Sequence, residues 1–278
     1  MALSISPLTG ALGAEVSGIE LSQDLTRQQL AELRQAWQEQ LVLVFRHQAL
    51  QPADMVALAR HFGDLHIHPF VAGIPEQPEV IEIIKEPKET NAWGGGWHSD
   101  VSFEDCPSLG SMLYAREIPP FGGDTLFANL ELAYATLPKA TRQRIDGLSA
   151  VHASGDAAEF YDDYRGMTPR KSSAHEATHP VVRTHPETGR KILFINLLFT
   201  KRIVGMAAGE SDELLAELLA HATRPEFTCR VRWAADTLVM WDNRSVMHNA
   251  MADYFESRGN TGYRRVMQRV TIQGDRPQ

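Results

Sequence analysis

Cysteine is nearly absent from this chain of 278 residues, which holds two, Cys106 and Cys229. Two isolated thiols cannot form a disulfide framework, and without a C-x-x-C spacing they do not suggest a structural zinc site. Both read as ordinary buried thiols, and the expected compartment is the reducing cytoplasm. Long apolar runs are missing as well. No stretch approaches the roughly 20 residues needed to cross a bilayer. The opening MALSISPLTG has no basic segment followed by an apolar one, so a secretory signal is not expected. Basic charge is in deficit, with 27 Lys and Arg against 35 Asp and Glu, a net charge of −8. A phosphate backbone requires a basic face, so nucleic acid is not an expected partner, and without a spanning run neither is a membrane. No repeat with a period of roughly 20–50 residues and no low-complexity tract interrupts the chain.

What is present suffices for one large core. Hydrophobic residues make up 43% of the chain, and no linker divides it, so residues 1–278 read as a single domain. The segment LTRQQLAELRQAWQEQ predicts a helix with Thr26 as N-cap and Leu30, Leu33 and Trp37 at helical spacing. PADMVALARHFG (52–63) predicts a second helix closed by Gly63, LELAYATLPKATRQRIDG a third, and SDELLAELLAHA a fourth that starts near Ser211 and Glu213. Short apolar segments predict strands: LVLVFR (41–46), EVIEIIKE (79–86), LGSMLYAREI, TLFANL, HPVVRTH, KILFIN, CRVRW, TLVMWDN and YRRVMQRVTI. Many short strands with a few helices, and no βαβ alternation, favour a mostly β fold with peripheral helices and a sandwich or jelly-roll core. Residues 154–178 are polar and aperiodic, equally suited to a lid and to a surface excursion. ESRGN (256–260) reads as a polar turn without chemistry.

The stretch GGGWHSDVSF (94–103) places His98 and Asp100 one residue apart behind three glycines. On a strand, alternate residues share a face, so the two side chains would project together from Cα atoms roughly 6–7 Å apart while Ser99 points away. Such a pair can meet one ion at about 2 Å. WDNRSVMHNA adds His248 after an apolar strand, among polar turn residues. Two histidines and a carboxylate make the facial triad of non-haem Fe(II) oxygenases, with three coordination positions left open. In YRRVMQRVTI, Arg265, Met267, Arg269 and Thr271 share one strand face, and the two arginine Cα atoms would lie roughly 13 Å apart. Burying two guanidinium groups is costly unless each meets an anion. They predict either two salt bridges or two sites for anionic ligands. His66 alternates with Ile67 on the element that carries His68 and reads as a core or supporting histidine. Trp97 and Trp241 flank the candidate ligands as wall residues. His61, His152, His175, His179, His185 and His221 have no ligand spacing.

The motifs HIHP, WHSDVSF, GGDTLF, HPVVRTHP, WDNRSVMH and RRVMQR, in this order over nearly the whole chain, resemble the taurine dioxygenase-like family of Fe(II)- and 2-oxoglutarate-dependent dioxygenases. The resemblance implies a double-stranded β-helix (jelly-roll) core. It implies His98, Asp100 and His248 as iron ligands, with Fe(II), 2-oxoglutarate and O2 as the reacting partners. It assigns Thr125 and Arg265 to the distal carboxylate of 2-oxoglutarate. Arg269 and His68, with the backbone N–H of Val101, would hold the anionic group of a small organic substrate. Asn196 and Phe199 would lie near that substrate, and Arg264, on the opposite face, would be structural. Taurine enzymes carry a tyrosine and an asparagine where this chain holds Val71 and Gly94, and a Glu-Gly where it has Leu197-Leu198. A more apolar pocket follows, suited to a larger or more hydrophobic sulfonate, sulfate ester or carboxylate than taurine. The family analogy also implies a dimer or tetramer. Two other activities fit the same residues. One is a zinc-dependent hydrolase on a cupin-like barrel; the other is a non-enzymatic sensor of 2-oxoglutarate or a small anion.

Overall fold

Alternation of side chains across one wide sheet organises the molecule. The computed structural model describes residues 3–68, 71–87, 89, 93–155, 175–254 and 262–278. Seven strands form this sheet: β1 (Ser4–Pro7), β2 (Ala14–Ser17), β3 (Val42–Phe45), β4 (Val80–Lys85), β5 (Gly110–Glu117), β13 (Leu238–Asp242) and β15 (Arg265–Ile272). Their spatial order is β1-β2-β3-β13-β5-β15-β4. Leu43, Phe45, Met112, Tyr114, Met240, Val270 and Ile272 turn to one face. There they pack under α1 (Arg27–Gln40) and α2 (Pro52–Arg60). The alternate residues Val42, Val44, Leu113, Val239, Trp241 and Met267 turn to the other face. Burial on both faces is why LVLVF reads as one unbroken apolar run.

The inner face packs on a smaller sheet of β12 (Thr228–Val231), β6 (Thr125–Asn129) and β14 (Val246–Ala250), in the order β12-β6-β14. Phe127, Val231 and Val246 of this sheet share a core with Val44, Leu113 and Met267 of the first. Two sheets closed over one apolar layer, with non-sequential neighbours, give the jelly-roll core. A second apolar cluster covers the far flank. Here α3 (Leu130–Thr136), α5 (Ala208–Ala222), β10 (Lys191–Leu193) and β11 (Thr200–Ile203) meet around Leu130, Ile192, Ile203, Leu214 and Leu218. β7 (Ser149–Ala153) pairs with both β11 and β8 (Glu176–Pro180), and β9 (Val182–Thr184) pairs with β10.

Helix α1 starts as its sequence predicts. Thr26 Oγ1 accepts the Gln29 N–H, and Gln29 returns its side-chain oxygen to the Thr26 N–H. Such a capping box is worth about 1 kcal/mol. Other boundaries differ from expectation. Helix α2 ends at Arg60 with His61 as its cap in right-handed conformation, short of Gly63. The third predicted helix is two, α3 and α4 (Lys139–Ile145), separated at Pro138. Helix α5 begins before Ser211, whose buried hydroxyl instead accepts the Ile203 N–H. Cys229 is buried, which pushes its thiol up to about 12, whereas Cys106 is only half-buried. Of the aperiodic segment, residues 156–174 lie outside the described residues, as does ESRGN.

The turn from β13 into β14 is locked by buried charge. Arg244 donates Nε to Asp242 Oδ1 and Nη2 to Asp242 Oδ2, and its Nη1 donates to Glu187. His185 Nε2 lies 3.1 Å from Asp242 Oδ2, and Ser245 Oγ donates to Glu131. Burial pushes the Asp242 carboxyl up, but Arg244 outweighs it and holds the group below the usual carboxylate range. This lock fixes the chain two residues before the strand that carries His248.

Candidate active site

His98 and His248 are held face to face by main chain. The His98 N–H donates to the His248 carbonyl at 3.0 Å, and the His248 N–H donates back at 2.7 Å. The imidazole centroids are 4.1 Å apart. His248 therefore lies within β14 rather than in a turn beyond the preceding strand, with β6 on its other side through Phe127. The reading of His98-Ser99-Asp100 as a strand also needs correction. Only His98 makes a bridge, and Asp100 begins a turn. Ser99 Oγ is anchored on the Val246 carbonyl, and the turn swings Asp100 back toward the histidines.

The outcome is convergence. Asp100 Oδ1 lies 3.7 Å from His98 Nε2 and 3.8 Å from His248 Nε2. One ligand atom from each residue falls within 4.8 Å of the others, and all three residues are buried. The donor chemistry suits a divalent cation. His98 Nδ1 is 2.9 Å from the Gly96 carbonyl, which places its proton there and leaves Nε2 as a lone pair. Burial lowers the pKa of His98 and drives that of His248 well below its ordinary value, so both imidazoles are neutral, as a metal ligand requires. Burial pushes the Asp100 carboxyl up, but Arg269 and the two imidazoles outweigh it, and the group stays an anion. Two neutral nitrogens and one carboxylate, with open space beside them, match the donor set of non-haem iron better than a closed zinc site.

The cavity beside the triad joins three of the other expected residues. Thr125, Arg265 and Arg269 line it with His98 and His248, between walls of Ile83, Leu113, Trp241 and Ala250. Thr125 opens β6 and accepts the Trp233 indole N–H at 3.0 Å. Arg265 stands over the same indole, 5.9 Å from its centroid. Arg269, two turns of the pleat further along β15, donates Nη1 to Asp100 Oδ1 at 3.0 Å and lies over Trp93. Both arginines are on the inner sheet face, as alternation predicts. Arg264 points outward to Glu86 and Glu117. His68 is buried, 6.1 Å from the Trp93 ring, and burial and Arg269 hold its pKa well below the ordinary value. His66 pairs with Glu104.

Val101, next to the triad, has φ 47°, an uncommon conformation for a β-branched residue. Such backbone costs of order 1–3 kcal/mol and persists where the surroundings hold it. Here the His179 imidazole reaches the carbonyls of both Ser102 and Glu104. Asn196 Nδ2 donates to Ser102 Oγ, and Asn196 Oδ1 accepts the Phe199 N–H. Asn196 thus braces Ser102, the neighbour of Val101, and Phe199. Phe199 is 6.1 Å from the His98 ring and packs with Val71, Ile81, Val101 and Phe103 into an apolar cluster bordered by Trp93 and Leu198. Gly94 has φ 77°, and a Cβ there would meet His98 Cε1 at 3.4 Å, so glycine suits this position.

Sequence reasoning missed Ser108, Ser111 and Asn243, which surround Asp100. A faint signal existed in WDNR, where a polar amide follows an apolar strand and precedes a ligand strand.

Comparison with known proteins agrees with this geometry. Residues 4–271 match the family described as "Taurine catabolism dioxygenase TauD, TfdA family". An alkylsulfatase of Acinetobacter baylyi is 35% identical, covering 98% of this chain and 86% of its own. An alpha-ketoglutarate-dependent sulfate ester dioxygenase of Pseudomonas putida is 33% identical, with 99% and 91% covered. The crystal structure of a taurine dioxygenase from Burkholderia xenovorans superimposes with a TM-score of 0.85 at 35% identity, covering 100% of this chain and 91% of that one.

Proposed function

The chain belongs to the taurine catabolism dioxygenase TauD, TfdA family, a 2-oxoglutarate-dependent dioxygenase family that uses Fe(II) and O2, and from that membership we propose the residue roles and the substrate. His98, Asp100 and His248 hold Fe(II). Thr125 and Arg265 receive the distal carboxylate of 2-oxoglutarate. Arg269 and His68, with the Val101 N–H, receive an anionic group, while Phe199, braced by Asn196, borders the rest of the substrate. The substrate is a sulfate ester, sulfonate or carboxylate with a hydrophobic body, and an alkyl sulfate is the leading candidate. The observation that carries this reading is the meeting of one ligand atom each from His98, Asp100 and His248 within 4.8 Å, beside a cavity that also presents two buried arginines. A zinc hydrolase would not need Thr125 and Arg265 as a clamp for a diacid and would run without O2, and a non-enzymatic sensor would bind its ligand without releasing succinate.

When bound, ferrous iron and 2-oxoglutarate supply activation of O2 and removal of a hydrogen atom from carbon, and 2-oxoglutarate leaves as succinate and CO2. The protein supplies position. Arg265 fixes one end of the cosubstrate through a bidentate-capable guanidinium. Arg269 and neutral His68 hold the substrate anion, so that the adjoining C–H bond faces the metal. Val71, Ile81, Phe103 and Phe199 exclude water from that carbon and favour an alkyl or aryl body over a free ammonium. Hydroxylation of a carbon that bears a sulfate ester gives an unstable product, which splits into an aldehyde and sulfate.

Residues 1–278 make one catalytic domain, because strands from both ends of the chain, β1 and β15, belong to one sheet. No helix among the described residues is long and apolar enough to cross a membrane. The cytoplasm suits its two free cysteines. A dimer or tetramer, expected by family analogy, is measured by sedimentation. The functional test is succinate release across hexyl sulfate, hexanesulfonate, phenoxyacetate and taurine. Hexyl sulfate or hexanesulfonate should give the highest kcat/KM; a preference for taurine would defeat the substrate assignment.

A further inference from the structure

Asp100 has two oxygens with different surroundings. Oδ1 faces the two imidazoles and Arg269. Oδ2 faces away, 2.7 Å from Ser111 Oγ and 3.4 Å from Asn243 Nδ2. Donor and acceptor chemistry fixes the direction of the bonds that lead to Oδ2. Trp241 Nε1–H and the Asp100 backbone N–H can only donate, and both meet Asn243 Oδ1, at 2.9 and 3.2 Å. The Asn243 amide is thereby oriented, and its Nδ2 must donate. Its two short contacts are Ser108 Oγ at 2.8 Å and Ser111 Oγ at 2.9 Å. Ser111 accepts one of those protons, so its own single hydroxyl proton is left for Asp100 Oδ2. Trp241, Asn243, Ser108 and Ser111 are all buried.

From this we infer that Ser111 and Asn243 are positioning residues that restrict Asp100 to one-oxygen coordination of the metal. The inference rests on the iron-site reading above. Six-coordinate iron held by two imidazoles and one carboxylate oxygen keeps three positions free. 2-Oxoglutarate would take two of them, which would leave the third for O2. A carboxylate free to turn would present both oxygens and occupy that third position. The hydroxyl of Ser111 prevents the turn by engaging Oδ2, and Asn243 keeps that hydroxyl from turning elsewhere. Supporting groups of this kind tune metal sites as strongly as some ligands do.

Nitric oxide, which binds ferrous iron only at an open position, reads the effect without turnover. The protein is loaded anaerobically with Fe(II), 2-oxoglutarate and hexyl sulfate, then titrated with nitric oxide and followed by electron paramagnetic resonance. Wild type should form the adduct, and Ser111→Ala should bind nitric oxide about tenfold more weakly. Ser111→Cys, which keeps the volume but donates poorly, should behave like Ser111→Ala. Ser111→Thr, which keeps the hydroxyl, should match wild type. Binding by both the Ala and Cys variants within threefold of wild type would overturn the inference. Failure of the iron-site reading looks different: wild type itself would then give no adduct, or His248→Ala would give a full one.

Discussion

Arg269 Nη1 lies 3.0 Å from Asp100 Oδ1, the same carboxylate oxygen that both histidine Nε2 atoms face. On the proposed assignment, a divalent cation among the three residues would compete with the guanidinium for that oxygen and would free Arg269 for an anion. By linkage, metal and anion should each favour the other's binding. Calorimetry should find hexyl sulfate binding to the Mn(II)-loaded protein about fivefold or more tightly than to the metal-free protein. Equal affinities would mean that Arg269 does not change partners.

The two arginines of β15 should separate kinetically. If Arg265 holds the distal carboxylate as proposed, Arg265→Ala should raise the KM for 2-oxoglutarate by about 10- to 100-fold, with a small effect on the sulfate ester. Arg269→Ala should do the reverse. Steady-state kinetics with each substrate varied in turn checks this, and equal effects of both variants on both substrates would undo the assignment of two anion sites.

A pH effect on stability follows from His152. It is fully buried beside Ser102 and Phe194, and burial, followed by the neighbouring His179, pulls its pKa down to about 3. In the unfolded chain a histidine titrates near 6.5. Between those values the unfolded state holds a proton that the folded state does not. Stability therefore falls as pH drops from about 6.5 toward 3, by a few kcal/mol at most. His179 is shifted in the same direction, again mainly by burial. Urea unfolding at pH 7 and pH 5 should show a smaller loss in His152→Gln than in wild type. An identical loss would place the pH sensitivity elsewhere.

Much of the fold was legible because burial leaves simple patterns. Val42–Phe45 is buried on both faces and reads as a strand, and the alternation along Arg265–Ile272 puts Arg265 and Arg269 on one face. The site was partly legible, and for a reason that the structure revises. His98 and Asp100 do come together, but through a bridge to His248 and a turn rather than through a continuous strand. The turn is held by Asn243, 143 positions away, and no local period encodes a contact at that distance. Helix ends were the weakest reading. Ser211 looks like a helix start, yet its hydroxyl is claimed by Ile203 of β11, a tertiary partner that overrides local preference.

The central claim is that His98, Asp100 and His248 hold one ferrous ion that 2-oxoglutarate can chelate. Its most direct test is the visible absorption of the protein mixed anaerobically with Fe(II) and 2-oxoglutarate. Wild type should develop a weak metal-to-ligand charge-transfer band that is lost in Asp100→Ala and His248→Ala. A wild-type protein without the band, or an Asp100→Ala variant that keeps it in full, would contradict the account.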